Sequence, residues 1–321
     1  MAESRGSGSE PGRLLQLDRL IPKLWESSSP SVTAALRIAV KVVNRQKRRL
    51  AVVGGVVRDL LLQKSVFDVD VMSESPTRSL AREVAEELHA ELVEHDRFLT
   101  FTIHLEGGLK LDVVTARQES YGAPGQLPVV APAPIEMDLK RRDFTVNSIA
   151  VFLDSSNEGR LLDPFGGIDD LRSRKIRALH DQSFVDDPTR IFRAARFAGR
   201  FSFDVDPKTQ KQIEGSIGKG YPRLLSPARR RHEFELVLRE VDPGPALRLL
   251  ESWGVLAVIH QDWALRPEHL EALRRVDRKD LEGRLACWFR PWGPAAAQKM
   301  MTELGFERAT KKAVHDALAG K

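Results

Sequence analysis

The pattern of apolar and polar positions changes character near the middle of the chain. Before about Gly167, short apolar runs suited to strands alternate with amphipathic stretches; beyond Ile168, apolar residues recur at helical spacing and strands disappear. From Ser31 to about Lys47, Leu36, Ala39, Val42 and Val43 share one helical face, with Ser31 or Thr33 placed to cap it. That helix delivers the chain into an apolar strand from Leu50 to Val53. A Gly54-Gly55 turn, a brief helix carrying Arg58 and Asp59, and a second strand presenting Asp68 and Asp70 follow. Ser75 to His89 reads as a helix, with Pro76 in its first turn and Leu80, Val84 and Leu88 at four-residue steps.

Phe98–Leu105 and Leu109–Thr115 read as strands joined by a hairpin turn at Glu106-Gly107-Gly108. Gln118 to Pro134 is rich in Pro, Gly and Ala, and is expected to be a mobile loop, a lid or substrate guide. An apolar run (Phe144, Ile149, Ala150, Phe152) and a short strand and turn from Gly159 to Gly167 complete the first part. Helices are then expected after Pro188, up to about Ile217, after the Ser226 cap with Pro227, and repeatedly from Pro243 to Lys321. The expected fold class is α+β, a small mixed or antiparallel sheet followed by all-helical segments.

A length of 321 residues allows about two domains, and 42% apolar content suits an ordinary globular chain. The net charge of +5 and a pI near 9.4 lean weakly toward a polyanionic partner. Cys287 is the only cysteine, which excludes an internal disulfide framework and cysteine-rich zinc modules. No apolar run approaches the ~20 residues that span a bilayer, and no signal-peptide core is evident. Glu3 and Glu10 argue against a transit peptide, so a cytoplasmic location is expected. The opening MAESRGSGSEPGR has no usable hydrophobic face, and residues 1–30 are expected to be disordered or poorly ordered.

Asp68 and Asp70 lie two apart on a strand and so point to one face. Two such carboxylates repel unless a cation sits between them, and the expected ion is Mg²⁺. Asp112, on the Leu109 strand, is either an edge residue in water or a third member of that cluster. The cluster Lys140, Arg141 and Arg142 is either solvated surface or the source of an arginine held against a phosphate or ribose. Asp187 and Arg190 are three apart at a helix start, for which a capping aspartate with a surface ion pair is the simplest account. Arg193, Arg196 and Arg200 continue the basic character of that helix. Around Arg229, arginines alternate with Glu233, Glu235 and Glu240, which suggests ion pairs within one helix. Trp253, Trp263, Trp288 and Trp292 read as packing residues.

In order, GGVVRDLLL, DVD, KRRDFTVNSIA and DDPTRIFRAARF resemble the motifs of the class II tRNA nucleotidyltransferase (CCA-adding) family and its poly(A) polymerase relatives. The resemblance runs from about Leu50 to Leu238. It implies a polymerase-β-like nucleotidyltransferase head at about 31–167, a helical neck at 168–240, and a helical RNA-binding body at 241–321. It also implies catalytic carboxylates at Asp68, Asp70 and Asp112, the first two holding Mg²⁺. Nucleotide contacts are implied at Gly54, Gly55, Arg58, Arg142 and Asn147, and at Asp187, Arg190, Arg193, Arg196 and Arg229 in the neck. Ser148 replaces a more usual alanine, and Ala228 stands where the family often has an acid before Arg229.

The implied activity is addition of all or part of CCA to a tRNA 3′ end from CTP and ATP. Asp187 and Arg190 resemble the pair that reads the incoming base. A carboxylate accepting from an exocyclic amine beside a guanidinium donating to a ring nitrogen suits cytosine and adenine, and mismatches uracil and guanine. The wording of DDPTRIFRAARF and ARQESYGAPGQLP leans toward the A-adding branch. The carboxy-terminal part is short for a full-length CCA-adding enzyme, which suggests a reduced tRNA-holding tail or partial addition. A poly(A) polymerase and an inactive RNA-binding protein of the same fold are the alternative readings.

Overall fold

The computed structural model describes residues 14–66, 69–74 and 77–320. The chain divides into two compact units, one running to Ser120 and resuming over Pro128–Ser173, the other comprising Tyr121–Leu127 and Arg174–Lys321.

The first unit opens with helices α1 (Leu20–Ser27) and α2 (Pro30–Arg45). The expectation of poor order to residue 30 is corrected here, since Leu20 and Leu24 stack one helical turn apart and are buried. Residues 1–13 lie outside the described residues. The cap of α2 is Ser29, whose hydroxyl accepts from the Val32 amide, with Pro30 at the first position; the expected cap at Ser31 or Thr33 lies two or four residues further on.

Strand β1 (Leu50–Val53) leads through Gly54 into α3 (Gly55–Leu61), then β2 (Val69–Ser73) and α4 (Arg78–Leu88). Pro76, expected in the first turn of α4, lies outside the described residues. A strand absent from the sequence reading, β3 (Glu91–His95), precedes β4 (Thr100–His104) and β5 (Lys110–Thr115). The expected loop from Gln118 to Pro134 is a loop over residues 121–128 only; its ends pair as a hairpin of β6 (Arg117–Ser120) and β7 (Val129–Pro132). Its alternating Val, Ala and Pro residues tolerate extended backbone, so composition alone misled. Next come α5 (Ile135–Lys140), a 3₁₀ turn (Thr145–Asn147), β8 (Ala150–Phe152), β9 (Leu161–Leu162) and α6 (Gly167–Arg172).

The sheet has seven strands in the order β3-β4-β5-β2-β1-β8-β9, with β2 and β5 parallel and the other neighbours antiparallel. One face carries a core of Ala51, Val53, Met72, Ala116, Ile135, Leu139, Ala150 and Phe152. On the other, Val71, Ile103 and Val113 are fully buried, as are Leu36 and Ala39 of α2 and Leu80 and Val84 of α4. A Cβ on Gly167 would stand 2.3 Å from the Thr145 carbonyl oxygen, so only glycine lets α6 approach the 3₁₀ turn this closely.

The second unit holds α7 (Ser183–Asp186), α8 (Thr189–Phe201), α9 (Pro207–Gly218) and α10 (Pro227–Leu238). After these come α11 (Gly244–Ser252), α12 (Leu256–Ile259), α13 (Pro267–Arg274), α14 (Leu281–Phe289), α15 (Gly293–Glu303) and α16 (Arg308–Leu318). Strands do not vanish beyond Ile168: Lys175–Ile176 and Asp204–Val205 form a two-residue parallel pair. Trp263 and Trp288 are buried and meet Phe234 at centroid distances of 4.6 and 4.9 Å, so these two indoles are packing residues. Buried Arg284 donates to the Leu238 and Glu240 carbonyls, capping the end of α10. No helix among the described residues is long and apolar enough to cross a membrane.

Candidate functional site

In the first unit the site grows from strand register. Asp70 stands directly opposite Asp112 across the parallel β2 and β5 pair, and Thr102 of β4 stands opposite Asp112 on its other side. Partners in register point to the same face, so two carboxylates and a hydroxyl line up across three adjacent strands. Asp112 is therefore an inner-strand residue and not the edge residue that the sequence also allowed. Its carboxylate accepts from Thr102 Oγ1 at 2.6 Å and from Lys110 Nζ at 3.2 Å. Asp68 lies outside the described residues, and among the described residues no group of three or more His, Cys, Asp or Glu is placed to hold a metal.

The β1–β2 register pairs Val52 with Val71; continued by one residue it sets Val53 beside Asp70, so the Gly54 turn falls next to the carboxylates. Gly54 has φ +69° and ψ −120°, backbone that a side chain strains. Its amide donates to the Ile149 carbonyl at 3.0 Å, which leaves approach to a phosphate to the amides that follow. A Cβ on Gly54 would also lie 2.5 Å from Arg142 Nη1, so that guanidinium lies directly over the turn.

Arg58 is only 4% exposed. It donates from Nε and Nη2 to Asp59 at 2.9 and 3.0 Å, and from Nη1 to Asn147 Oδ1. Asn147 Nδ2 in turn donates to Asp143 at 3.0 Å. Arg58 and Asn147 thus tie the glycine turn to the 3₁₀ turn from within. Of the basic cluster, Arg141 is held by Asp138 and Glu119 at 2.7 and 2.6 Å. Arg142, as half-buried as Arg141, donates from Nε to Asp138 at 3.1 Å. Asp138, fully buried beneath both, escaped the sequence reading, although its spacing of three and four residues on a helix signalled it. Thr102 was legible too: a hairpin centred on Gly107 pairs it with Asp112.

In the second unit, Asp187 Oδ1 accepts from the Thr189 amide at 3.1 Å and its hydroxyl at 2.7 Å, so the expected helix-start role is present. The ion pair that Asp187 makes is with Arg229, at 2.9 Å, and Arg229 also donates to the Gly125 carbonyl. Arg190 is 5% exposed, with Nη1 2.8 Å from Ser183 Oγ and 3.3 Å from His180 Nε2. His180 and Ser183 had no signal in the sequence. Arg196 donates from Nε to Glu240, just past the end of the Arg229 helix, at 3.1 Å and lies 3.7 Å from Glu233 of that helix, so these acids reach α8. The expected pair within one helix is Arg231 with Glu235 at 3.4 Å. Arg193 lies over the Phe197 ring at 5.2 Å. Burial pushes the Glu233 carboxyl above the usual range, and the Arg193 and Arg196 charges pull it partly back.

A mixed sheet with paired inner-strand carboxylates beside a glycine turn that opens a helix defines the polymerase-β-like head of a nucleotidyltransferase. The family model for the poly A polymerase head domain matches residues 50–177. The chain is 40% identical over 261 residues to an A-adding tRNA nucleotidyltransferase of Geobacter sulfurreducens, covering 81% of this chain and 30% of that protein. The chain thus spans under a third of that relative's length. It is also similar to a solved CCA-adding enzyme in an apo form, with TM-score 0.78 and 30% identity over 93% of this chain and 73% of that one. A CCA-adding enzyme of Thermotoga maritima solved with tRNA matches with TM-score 0.74 and 30% identity, over 93% and 72%. The chain belongs to the tRNA nucleotidyltransferase and poly(A) polymerase family. Nucleotidyltransferases of this family use divalent metals, and the hard oxygen donors Asp70 and Asp112, side by side, fit such an ion.

Proposed function

We propose that this chain is a template-independent tRNA nucleotidyltransferase that adds A, CC or the whole CCA to a tRNA 3′ end from ATP and CTP, releasing pyrophosphate. The observation that carries this reading is the register match of Asp70 with Asp112 beside the Gly54 turn. Residues 31–167 act as head, 168–240 as neck and 241–321 as RNA-holding body. Asp70 and Asp112, with Asp68, hold Mg²⁺, which when bound acidifies the attacking 3′-hydroxyl and offsets charge on the leaving pyrophosphate. Thr102 and Lys110 keep the Asp112 carboxylate oriented. Arg142 and the amides after Gly54 bind the triphosphate and ribose, while Arg58 and Asn147 hold that turn in shape.

In the neck, Asp187 accepts from the exocyclic amine of adenine or cytosine and Arg190 donates to the adjoining ring nitrogen. Arg229 orients the Asp187 carboxylate, Arg196 braces the neck through Glu240, and Arg193 lies on the same helix toward the nucleotide. The test incubates tRNA transcripts ending at the discriminator base, at C or at CC with Mg²⁺ and each nucleoside triphosphate separately, then sizes the products. One added A on the CC end and nothing elsewhere identifies an A-adding enzyme. Continued A addition identifies a poly(A) polymerase, the reading that the matched head-domain family also supports. Equal use of UTP or GTP refutes the Asp187 and Arg190 roles, and no incorporation from any nucleotide refutes the enzyme.

A further inference from the structure

We propose that His180 and Ser183 are positioning residues for Arg190, and that base discrimination requires His180 to be a neutral hydrogen-bond acceptor. The inference rests on the base-reading role given to Arg190 above. A guanidinium has donors only, so the ring nitrogen 3.3 Å from Arg190 Nη1 must present its lone pair. That assigns His180 the neutral form with the proton on Nδ1. Ser183 Oγ accepts from the same Nη1 at 2.8 Å, and Ser183 is itself fully buried, its amide donating to the His180 carbonyl at 3.2 Å. One tight turn thus grips one corner of the guanidinium and fixes the plane in which its other donors lie. Discrimination by hydrogen bonds depends on that plane, because a donor swung away from the ring nitrogen no longer distinguishes adenine from guanine.

Charge around the ring makes the protonation state matter. Buried Arg190 of α8 faces Nε2 of half-buried His180, so an imidazolium would set cation against cation where water screens them only in part. Asp181, next in sequence, is held at 2.7 and 2.8 Å by Lys208 and Gln212 of α9. Asp186 of α7 interacts with both His180 and Arg190, and burial pushes its carboxyl above the usual range. Neither acid takes the place of the acceptor that Arg190 Nη1 meets.

The experiment measures equilibrium binding and incorporation of ATP, CTP, GTP and UTP by the wild-type chain and by the His180→Phe, His180→Gln and Arg190→Met variants. Arg190→Met should abolish discrimination. His180→Phe should lower it about 10-fold or more, the scale of a hydrogen bond to a charged group, while His180→Gln, whose amide oxygen accepts, restores most of it. In the wild type, discrimination should fall as pH drops from about 8 to about 5.5, across the ordinary histidine range, and His180→Gln should flatten that fall. Lost discrimination in Arg190→Met with full discrimination in a folded His180→Phe overturns the positioning role alone. Should His180→Phe fail to fold, parallel pH profiles for wild type and His180→Gln overturn it instead. Unchanged discrimination in Arg190→Met, or no nucleotide preference in the wild type, overturns the base-reading role itself and this inference with it.

Discussion

The paired strand carboxylates of the head and the buried charges of the second unit are deployed in opposite ways. In the head, Asp70 and Asp112 stand on a strand face at the margin of the apolar core, and Asp112 takes its partners from the same face. In the second unit, Arg190, Arg196, Glu233 and Glu240 are buried, and Arg196 of α8 pairs with Glu240 in the turn after α10. On the proposed roles, the chemistry of Asp70 and Asp112 should be separable from stability, whereas in the second unit one set of groups should serve both. A helix bundle must bury side chains to hold its members together, so charges placed among them become structural.

The largest expected effect tests separability in the head. Asp70→Asn should lower kcat by about 10³-fold or more, the several kcal/mol that a lost metal position costs. Its thermal midpoint should stay within a degree or two of wild type, the shift expected of a site that carries under ~0.5 kcal/mol of stability. A large drop in the midpoint would erase the contrast. Next, Glu240→Ala strands the Arg196 charge in the neck and should destabilise the fold by about 3 kcal/mol, read by urea unfolding, with activity lost in step with the folded fraction. Full stability would show that the neck charges are as separable as those of the head.

A pH series sharpens the same point in the second unit. Burial holds His269 neutral and lowers its pKa from 6.5 to about 4. The unfolded chain therefore takes up a proton that the folded state refuses, so stability falls as pH drops through 6.5 toward 4, by about 3 kcal/mol in all. Urea midpoints measured across that window should slope down with acid and flatten in His269→Gln; an unchanged slope in the variant would assign the loss to other groups. Smallest is Gly54→Ala, which forces a side chain onto φ +69° and should cost about 1–2 kcal/mol. Because Arg142 must also shift, KM for the nucleotide should rise more than kcat falls, and an unchanged KM would remove Arg142 and this turn from nucleotide binding.

Much of the head was legible because its signals are local. The period of two in DVD, the Gly-Gly turn and the hairpin about Gly107 each follow from backbone geometry within a few residues. The hairpin at 117–132 was hidden because Pro and Ala content resembles a loop, and Leu20–Ser27 because a polar leader overshadowed two stacked leucines.

The sequence by itself determined the α+β order of elements, the carboxylate motif, the helix start at Pro227, and the family to which they belong. These are near-neighbour matters of steric preference and periodicity. Only the tertiary structure decided that Asp112 faces Asp70, that Asp187 pairs with Arg229, and that Arg190 rests on His180 and Ser183. The first two join residues 42 positions apart in the chain, so no local propensity constrains them. The third lies within ten residues, yet it brings together side chains from the turn before α7, from the start of α7 and from α8.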